Sequence, residues 1–587
     1  MLKDFKPLRK ITLSGVDDLR CTGLILIVGP NSSGKTQLLK DIGGRLSGEP
    51  RNLVVAQAIE LDQLNVDELI KALVEEGYFA PPREYTRDAL LRPRTTFWGT
   101  GEVIDPGINI GQAQGMHSEY LKKDESQLSA SGDNFLARFG KMLVSQLYLV
   151  RRLNSLNTVS TQDLLSQPVQ NELQALQLND EAQDELSSVC LTAFNKGVWL
   201  DQTQGGRLRI LVSNRGLPDP RDRLSVTKMA EHRLIEEEGD GLKSFVTMAM
   251  ALLLQKRPVI LIDEPEMCLH PPQARAFGRL LGQYGSTSDT VTFVATHSSE
   301  ILRGALEMGS DLQIVRLVAG PESFSAHLLQ AEELRNAFGK PPERSESILD
   351  GIFAHAVIVV EAEGDRLVYQ AVWQSFAGEI VQDVHFAQVG GTGGIAPTLG
   401  LYKALSIPVG VIADIDLLTD SDKLRQVLER MAPKERIAET VGLAHAITQQ
   451  FRGLPPVLTE KLVREELEQV LNRDVDWDHG GDMEMRGELD KVSRTIARSR
   501  KLKIEGLPCD LRQNIDQCLK SLKEYGIFLV PIGELEDWLP TLDLGNRTRK
   551  AAFAVATAAR IQEQGRQQDP LWDFVGGIAE YFSQNEV

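Results

Sequence analysis

The feature that most constrains the fold of this chain is an apolar run that leads into a glycine-containing loop, LILIVGPNSSGKTQLLKDI. Leu24 to Val28 is predicted to form a buried strand, and the residues after it match the pattern GxxxxGK[ST], followed by a helical pattern. The glycines of such a loop let backbone N–H groups point into one concave anion site. The stretch therefore predicts a strand, a phosphate-binding loop and a helix in an α/β fold.

The loop motif predicts which of its residues contact ATP. Lys35 can reach the β- and γ-phosphates, and the hydroxyl of Thr36 can bind Mg²⁺. The residues predicted to bind the nucleotide are Gly29, Pro30, Asn31, Ser32, Ser33, Gly34, Lys35, Thr36 and Gln37.

Two downstream strands are predicted to complete this site. PVILIDEPEMCLHPPQ contains an apolar run that ends at Asp263 and Glu264, and TVTFVATHSSEIL contains another that ends before His297. Asp263 at a strand end can hold the magnesium through water, and Glu264 can orient and deprotonate the attacking water. His297 is placed to contact a γ-phosphate. Together with the loop, these residues predict an ATPase.

A glycine-containing segment, EEEGDGLKSFVTMAMALLL, places Gly239, Gly241 and Ser244 before a long apolar helix. With GPNSSGKT, LIDEPEMCLHPPQ and ATHSSEIL, this segment resembles the ABC-type ATPase heads of the RecF and SMC kind. The resemblance implies that two heads bind ATP between them. It also implies that Gly239, Gly241 and Ser244 form the signature that meets the nucleotide of a second subunit.

The predicted domains follow from these motifs. Residues 1–340 form the ATPase domain, with a helical insertion at about 60–223 that serves as an arm, a dimerisation element or a nucleic-acid clamp. GKPPERSES marks a linker at 341–350. Residues 351–545 form a second domain, and residues 546–587 form a C-terminal helical segment.

The second domain begins with AVIVVEAEGDRLVY, in which a buried strand leads into Glu361. The chain then alternates strand and helix through GGTGGIAP to IPVGVIADIDLL, where Asp414 and Asp416 follow the strand Val409 to Ile412. Because the carboxyl ends of parallel strands meet at one edge, we expect these acids to lie close together. Close carboxylates need cations, and oxygen ligands suit Mg²⁺ or Mn²⁺. Two such ions can support phosphodiester cleavage.

This pattern resembles the TOPRIM domain, in which Glu361 matches the strand-end glutamate and Asp414 and Asp416 match the DxD pair. Gly390-Gly391 matches the glycine turn of that family. The resemblance implies a further carboxylate at Glu363 or Asp365, with Asp365 preferred. It also implies one at Glu534, Glu536 or Asp537, with Glu536 preferred. Lys550 is a candidate for stabilising the scissile phosphate.

The order of the two motif sets resembles the OLD-family nucleases, which include subunits of Gabija and retron-associated defence systems. The resemblance implies an ATP-regulated, metal-dependent endonuclease of anti-phage defence that forms a homodimer or tetramer. A co-encoded helicase or reverse transcriptase is the implied partner. The alternatives are a TOPRIM ribonuclease acting on RNA such as tRNA, and a RecF-like repair ATPase whose TOPRIM domain only binds DNA.

Length, charge and cysteine content limit the possible domain number, partners and location. The chain has 587 residues, enough for roughly three to four domains. It carries a net charge of −18, which argues against coating nucleic acid through overall charge. A local basic run, KVSRTIARSRKLK, remains either a nucleic-acid track or a solvated helix face. Five scattered cysteines and the lack of a long apolar run predict a cytoplasmic protein without a membrane span.

Overall fold

The chain is divided into two units, Met1–Gly339 and Lys340–Val587, each built on its own parallel sheet. The computed structural model describes residues 5–62, 64–93, 107–161, 163, 169, 171–203, 205–213, 232–285, 290–308, 312–321, 323–330, 346–376, 383–454, 460–472, 485–486, 489, 492, 502, 504, 506–533, 535, 538, 550–567 and 569–584. None of the helices in these ranges is long and apolar enough to cross a membrane.

The first unit contains the following strands and helices among its described residues. The strands are β1 Leu8–Leu13, β2 Val16–Arg20, β3 Gly23–Val28, β4 Ala56–Leu61, β5 Phe79–Ala80, β6 Leu90–Pro93, β7 Ile108–Asn109, β8 Val144–Leu147, β9 Val159–Ser160, β10 Gly197–Asp201, β11 Arg207–Ser213, β12 Arg233–Leu234, β13 Val259–Asp263, β14 Val291–Ala295, β15 Leu312–Ala319 and β16 Phe324–Gln330. The helices are α1 Lys35–Leu46, α2 Val66–Glu75, α3 Ile110–Tyr120, α4 Glu125–Ser131, α5 Asn134–Phe139, α6 Leu149–Asn154, α7 Glu172–Gln177, α8 Asp180–Phe194, α9 Asp240–Leu254, α10 Pro271–Leu280 and α11 Ser299–Met308.

The central sheet of this unit has the described strand order β16-β15-β3-β14-β13-β8. All of its neighbours are parallel except β16, which pairs antiparallel with β15. Every residue of β3 is buried, as expected for an apolar strand covered on both faces. Since β14 and β15 flank β3, the loop that follows β3 lies at the middle of the carboxyl edge of the sheet.

The segment predicted as a helical insertion, residues 60–223, is not a separate body. Its strand β8 joins the central sheet by pairing in parallel with β13, and its helix α8 packs against α9. It also contributes the antiparallel strands β9, β10 and β11. The sequence of this segment shows the spacing of its helices. It does not show β8, because the strand that β8 pairs with, β13, lies more than a hundred residues downstream.

The second unit has the following elements among its described residues. The strands are β17 Ala356–Val360, β18 Val384–Gln388, β19 Val409–Asp414 and β20 Ile527–Val530. The helices are α12 Glu346–Asp350, α13 Glu363–Ser375, α14 Ile395–Ala404, α15 Ser421–Met431, α16 Lys434–Arg452, α17 Glu460–Leu471, α18 Cys509–Glu524, α19 Lys550–Gln564 and α20 Pro570–Gln584.

The described strands of the second unit are all parallel, in the order β18-β17-β19-β20. All five residues of β17 are buried, which agrees with the apolar run in the sequence. Strand β19 is two residues longer than expected, because Asp414 still pairs with Val530 of β20. The helices α19 and α20 share one apolar core with α13 and this sheet, so the C-terminal segment is part of the same body.

Helices α10 and α11 approach each other closely because glycines face each other across their contact. A Cβ atom added to Gly304 would lie 2.2 Å from the carbonyl oxygen of Arg275 and 2.8 Å from the backbone nitrogen of Arg279. These helices follow the strands that end in Asp263 and Ala295, so their packing fixes the positions of both strand ends.

We therefore expect Gly304→Ala to lower the free energy of unfolding by about 1–3 kcal/mol, because the added methyl group must separate two packed backbones. Gly115→Ala is the matched control, since Gly115 is also in a helix but has open space around its Cα. That variant should be neutral or stabilising by up to about 1 kcal/mol. Denaturant unfolding measures both, and equal stability of the two variants would contradict the close packing.

Candidate nucleotide and metal sites

The phosphate loop depends on glycine at two positions. Gly29 has φ 139° and Gly34 has φ 93°, values that side chains rarely adopt. A Cβ atom on Gly29 would also lie 2.2 Å from the carbonyl oxygen of Leu317 on β15. The loop therefore needs the glycines that the motif supplies, both for its turn and for its fit against the neighbouring strand.

Lys35 stands at the first position of α1 and is buried at 8% exposure. Its ammonium donates hydrogen bonds to the carbonyl oxygens of Gly29, at 3.0 Å, and Pro30, at 2.7 Å. Burial lowers the pKa of Lys35, and the nearby carboxylates of the β13 end counteract that shift. An ammonium has three donors, so a third remains for a phosphate oxygen above the loop.

Thr36 and Asp263 meet although 227 residues separate them in the sequence. The Thr36 hydroxyl donates to Asp263 Oδ1 at 2.9 Å. The register explains the meeting, because Asp263 pairs with Ala295 of β14 and Ala295 pairs with Ile27 of β3. Burial raises the pKa of Asp263, and the bond from Thr36 opposes that rise. A hydroxyl and a carboxylate in contact are the oxygen donors that Mg²⁺ prefers.

Glu264 has an unusual backbone conformation for a residue with a side chain, with φ 45°. Its N–H donates to the carbonyl oxygen of Ala295 at 2.8 Å, and its carbonyl oxygen accepts from Arg152 Nη2 at 3.1 Å. Its side chain remains 37% exposed. The backbone contacts thus hold the Glu264 carboxylate at the rim of the site, where it can meet a water molecule.

Arg152 was not predicted from the sequence. It belongs to α6, in the segment expected to be an insertion, and it is fully buried. Burial lowers the pKa of its guanidinium, whereas the carboxylates at the end of β13 raise it. Arg152 directly follows Arg151 in the sequence, and no local pattern shows which of the two arginines is buried.

Glu266 is a second site residue that was not predicted from the sequence. Its carboxylate accepts hydrogen bonds from the Thr296 hydroxyl at 2.9 Å and from the His297 backbone N–H at 2.8 Å. The Nδ1 atom of His297 lies 3.1 Å from Glu266 Oε1 and 3.8 Å from Glu264 Oε1. Glu266 therefore holds the His297 ring through Nδ1 and its backbone through the N–H. The sequence signal that could have identified it is a third acid, Glu266, close after Asp263 and Glu264.

Gln37 contacts another side chain of α1. Its amide donates to Asp41 Oδ1 at 2.9 Å, one turn further along α1. Nothing in this geometry directs Gln37 toward a phosphate, and its predicted nucleotide contact stays a prediction.

The predicted signature lies at the start of α9. Gly239 is the N-cap, whereas Gly241 and Ser244 are already inside the helix instead of preceding it. A Cβ on Gly241 would lie 2.4 Å from the carbonyl oxygen of Cys268, so this segment packs against the loop after β13. Ser244 is fully buried, and its hydroxyl is not at a surface that a second head could reach.

The second site brings together two of the predicted acids. The backbone N–H of Asp414 donates to Glu361 Oε1 at 3.3 Å, across the ends of β19 and β17. The glycine turn lies beside them, because the Gly391 N–H donates to the Glu361 carbonyl oxygen at 2.8 Å. Gly390 and Gly391 have φ 68° and 116°, which explains why this turn consists of glycines.

The other predicted acids differ in their surroundings. Asp416 follows β19 in a short 3-10 helix, and its carboxylate accepts from the Leu502 N–H at 3.2 Å. Asp365 Oδ2 accepts from the Ala362 N–H at 3.0 Å and so lies back toward Glu361. Glu363 instead forms an ion pair with Arg366. Which of the two acids binds metal stays a prediction, with Asp365 preferred because Glu363 is paired with Arg366.

Several predicted residues fall outside what the structure describes. Glu534, Glu536 and Asp537 are among the undescribed residues, as are most residues of the basic run 491–503. Lys550 begins α19, but its side chain is not described. The backbone places it one turn before Ala554, whose Cβ lies 3.3 Å from where a Cβ on Gly364 would be.

The carboxylates fit a divalent cation of the magnesium kind. Within the described part of the chain, no three His, Cys, Asp or Glu side chains are grouped so that they could hold a metal ion by themselves. Mg²⁺ does not need such a cage, since it keeps several waters and binds one or two carboxylates together with substrate phosphates. The Glu361 carboxylate lies against the backbone of Asp414, so both acids stand at the edge of the sheet where such a cation would bind.

Comparisons with known proteins match two parts of the chain to domain families and most of the chain to one curated relative. Residues 214–303 match the profile of an AAA domain described with the AbiEii toxin of type IV toxin–antitoxin systems. Residues 352–416 match the TOPRIM domain of proteins like the overcoming lysogenization defect protein. An OLD nuclease of Thermus scotoductus is 25% identical over an alignment of 476 residues that covers 75% of this chain and 85% of that protein.

Two solved structures are among the matches to this chain. The SMC head domain from Thermotoga maritima is 14% identical, with a TM-score of 0.26, and covers 55% of this chain and 99% of its own. The C-terminal region of the Xanthomonas campestris pv. campestris OLD protein is 17% identical, with a TM-score of 0.17. It covers 39% of this chain and 93% of its own.

These matches confirm the α/β fold class, an ATPase domain followed by a TOPRIM domain, and the resemblance to the OLD family. They also confirm the predicted class of enzyme, an ATPase joined to a nuclease. Nucleic acid as substrate, and the use of a nucleotide and a divalent metal in general, follow from the same matches. The roles of single residues and the domain boundaries stay predictions.

We expect Glu266→Ala to reduce the kcat of ATP hydrolysis by about 10- to 100-fold, because the His297 ring loses the carboxylate that orients it. Binding of ATP should change by less than about 3-fold, since Glu266 touches the histidine and not the phosphate loop. Steady-state hydrolysis and equilibrium ATP binding measure the two effects.

Glu307→Ala is the matched control for this variant. Glu307 is also a paired glutamate, but its partners Arg275 and Arg279 lie on the outer side of α10. Its removal should leave kcat within about 2-fold. An equal loss of kcat in both variants would contradict a positioning role for Glu266.

Proposed function

We propose, from the premise that this chain joins an AAA-type ATPase domain to an OLD-like TOPRIM domain, that it is an ATP-regulated, metal-dependent endonuclease. Its substrate is DNA, and its role is prokaryotic defence against phage, in the cytoplasm. The observation that carries the proposal is the contact between the Glu361 carboxylate and the backbone of Asp414 at adjacent strand ends. The similarity to an OLD nuclease supports the same reaction.

The metal would be held by Glu361 and Asp414, with Asp416 and Asp365 as the neighbouring carboxylates. Bound Mg²⁺ or Mn²⁺, two ions in this proposal, would supply an activated water and charge neutralisation at the leaving oxygen. The chain itself fixes the Glu361 carboxylate through the Asp414 N–H. The glycine turn at Gly391 packs on the Glu361 backbone and keeps side chains away from that edge. An Asp414 displaced by even an ångström would separate the pair.

ATP would act as a gate for cleavage and would not drive it. No motor-type helicase motif occurs in the sequence, so the nucleotide site is better suited to setting a conformation. Lys35 and Thr36 support this view, because they join the phosphate site to the loop carbonyls and to Asp263 at the end of β13. Binding of ATP with its magnesium would therefore act on both the loop and that strand end. A homodimer or tetramer would complete the site, with a co-encoded partner as the trigger.

The first experiment is cleavage of a plasmid with Mg²⁺ or Mn²⁺, with and without ATP. We expect Asp414→Ala/Asp416→Ala to reduce cleavage by at least about 100-fold, as chelation of the metal should, because the cations lose their ligands. Lys35→Ala should keep the cleavage seen without ATP and lose any response to ATP. A non-hydrolysable ATP analogue should replace ATP.

Three results would count against the proposal. Cleavage that survives the double substitution would place the nuclease site elsewhere. Cleavage of total RNA but not of plasmid would favour the ribonuclease. An analogue that cannot replace ATP would mean that hydrolysis drives each cleavage event and that ATP is not a gate.

A pair of isosteric substitutions tests which glutamate binds metal. Glu361→Gln should reduce cleavage by at least about 100-fold, because an amide is a poor ligand for Mg²⁺ and lacks the charge. Glu363→Gln is the matched control two residues away, and it should stay within about 3-fold because Glu363 pairs with Arg366 on the exposed side of α13. Plasmid cleavage rates across a Mn²⁺ titration measure both. Equal losses would contradict the assignment of Glu361.

A further inference from the structure

Three consecutive acids, Glu236, Glu237 and Glu238, stand directly before the predicted signature. A fourth acid, Asp240, is the first residue of α9. Negative charge at this end of the helix would repel the phosphate of a nucleotide that approaches the signature. The chain must therefore hold or neutralise these carboxylates if the signature is to meet ATP.

The segment 60–223 binds two of these acids. The Glu238 side chain is 9% exposed and forms an ion pair with Lys196, which follows the end of α8. Glu236 Oε1 accepts hydrogen bonds from the Thr158 backbone N–H and, at 2.9 Å, from the Thr158 hydroxyl. Lys196 lies 42 residues before Glu238 in the sequence, and Thr158 lies 78 residues before Glu236. Only the fold brings these partners together.

Aromatic rings set the distance between α8 and the start of α9. The Phe194 ring, at the end of α8, meets the Phe245 ring of α9 edge to face, with ring centroids 5.2 Å apart. Phe245 is fully buried and also meets the Phe277 ring of α10 edge to face, at 5.7 Å. These contacts fix the end of α8 beside α9 and so bring Lys196 to the acids before Gly239.

The start of α9 also contacts the loop that follows β13. A Cβ on Gly241 would lie 2.4 Å from the carbonyl oxygen of Cys268, in the loop that carries Glu264 and Glu266. The turn from Glu238 to Gly241 therefore touches both this loop and the residues after α8. A carboxylate that lost its cation in this turn could not move far without displacing one of the two.

We infer that Lys196 is a positioning residue for the predicted signature. It neutralises Glu238 and holds the turn before Gly239 in the conformation that meets the nucleotide of a second head. The inference rests on the proposed assembly of two heads around ATP, and it gives the segment 60–223 the task of supplying the counter-charge of the signature. Loss of Lys196 should therefore damage the ATP site of the partner head and leave the phosphate loop of its own head intact.

The test measures ATP hydrolysis and ATP binding by the full chain. Lys196→Glu should lower the kcat of hydrolysis by about 10- to 100-fold and change ATP binding by less than about 3-fold, because two like charges then meet beside Gly239 and not at the phosphate loop. Lys123→Glu is the matched control, since Lys123 lies in the same segment, is 28% exposed against 29% for Lys196, and pairs with the buried Asp133. Because Asp133 caps α5 and not α9, this variant should keep kcat within about 2-fold.

Mixing two defective chains shows which head Lys196 serves. In a site shared by two heads, a Lys35→Ala chain supplies an intact signature and a Lys196→Glu chain supplies an intact phosphate loop. An equal mixture should regain about one quarter of wild-type hydrolysis, because half of the random pairs are mixed and each mixed pair has one intact site of two. A mixture of Lys35→Ala with Glu266→Ala should gain nothing, since both changes affect the head that holds the phosphates.

A reversed ion pair separates loss of the contact from a folding defect. Lys196→Glu/Glu238→Lys restores opposite charges at the same two positions and should return kcat to within about 3-fold of the wild type.

Four results would overturn the inference. The first is wild-type hydrolysis by the Lys196→Glu chain, and the second is a reversed pair that is as defective as Lys196→Glu alone. The third is an active reversed pair combined with a Lys35→Ala and Lys196→Glu mixture that regains nothing, because Lys196 would then serve its own head. The fourth is a wild-type chain that stays a monomer with ATP in sedimentation, which would overturn the assembly of two heads as well. Failure of plasmid cleavage would count against the proposed nuclease and leave these hydrolysis results unchanged.

Discussion

The main physical constraint in both units is the crowding of carboxylates at the carboxyl ends of parallel strands. Parallel register brings these ends to one edge, and close negative charges there are unfavourable unless donors or cations meet them. In the first unit the chain provides cations of its own, because Lys35 and the buried Arg152 lie near Asp263. In the second unit a backbone N–H group approaches Glu361. Such an edge is suited to an added divalent cation.

The sequence predicted the parts of the site that short motifs encode. A phosphate-loop motif after an apolar strand indicates a site where backbone N–H groups bind phosphate. An acid at the end of another apolar strand lies at the same edge if the sheet is parallel. That reasoning joined Thr36 to Asp263 across most of the first unit and Glu361 to Asp414 across the second. It succeeds because the register of parallel strands converts a position at a strand end into a position in space.

The remaining contacts could not be read from the sequence, because each depends on tertiary packing. Arg152 belongs to a short helix in a segment with no motif, and only the fold brings its guanidinium to the Glu264 carbonyl oxygen. Glu266 is one of several acids in its stretch, and the partner that distinguishes it is His297, two residues after the end of β14. The strand β8 could not be predicted for the same reason, because four residues are too few for a strand pattern and their partner β13 is distant in the sequence.

The segment 60–223 contacts the ATPase site through Arg152, which holds the strained backbone of Glu264. Helix α9 also packs on α6 and α8 of this segment, so packed helices join it to the strand end that carries Asp263 and Glu264. Under the proposed ATP gate, a change at the γ-phosphate would therefore act on this segment first through the Glu264 backbone.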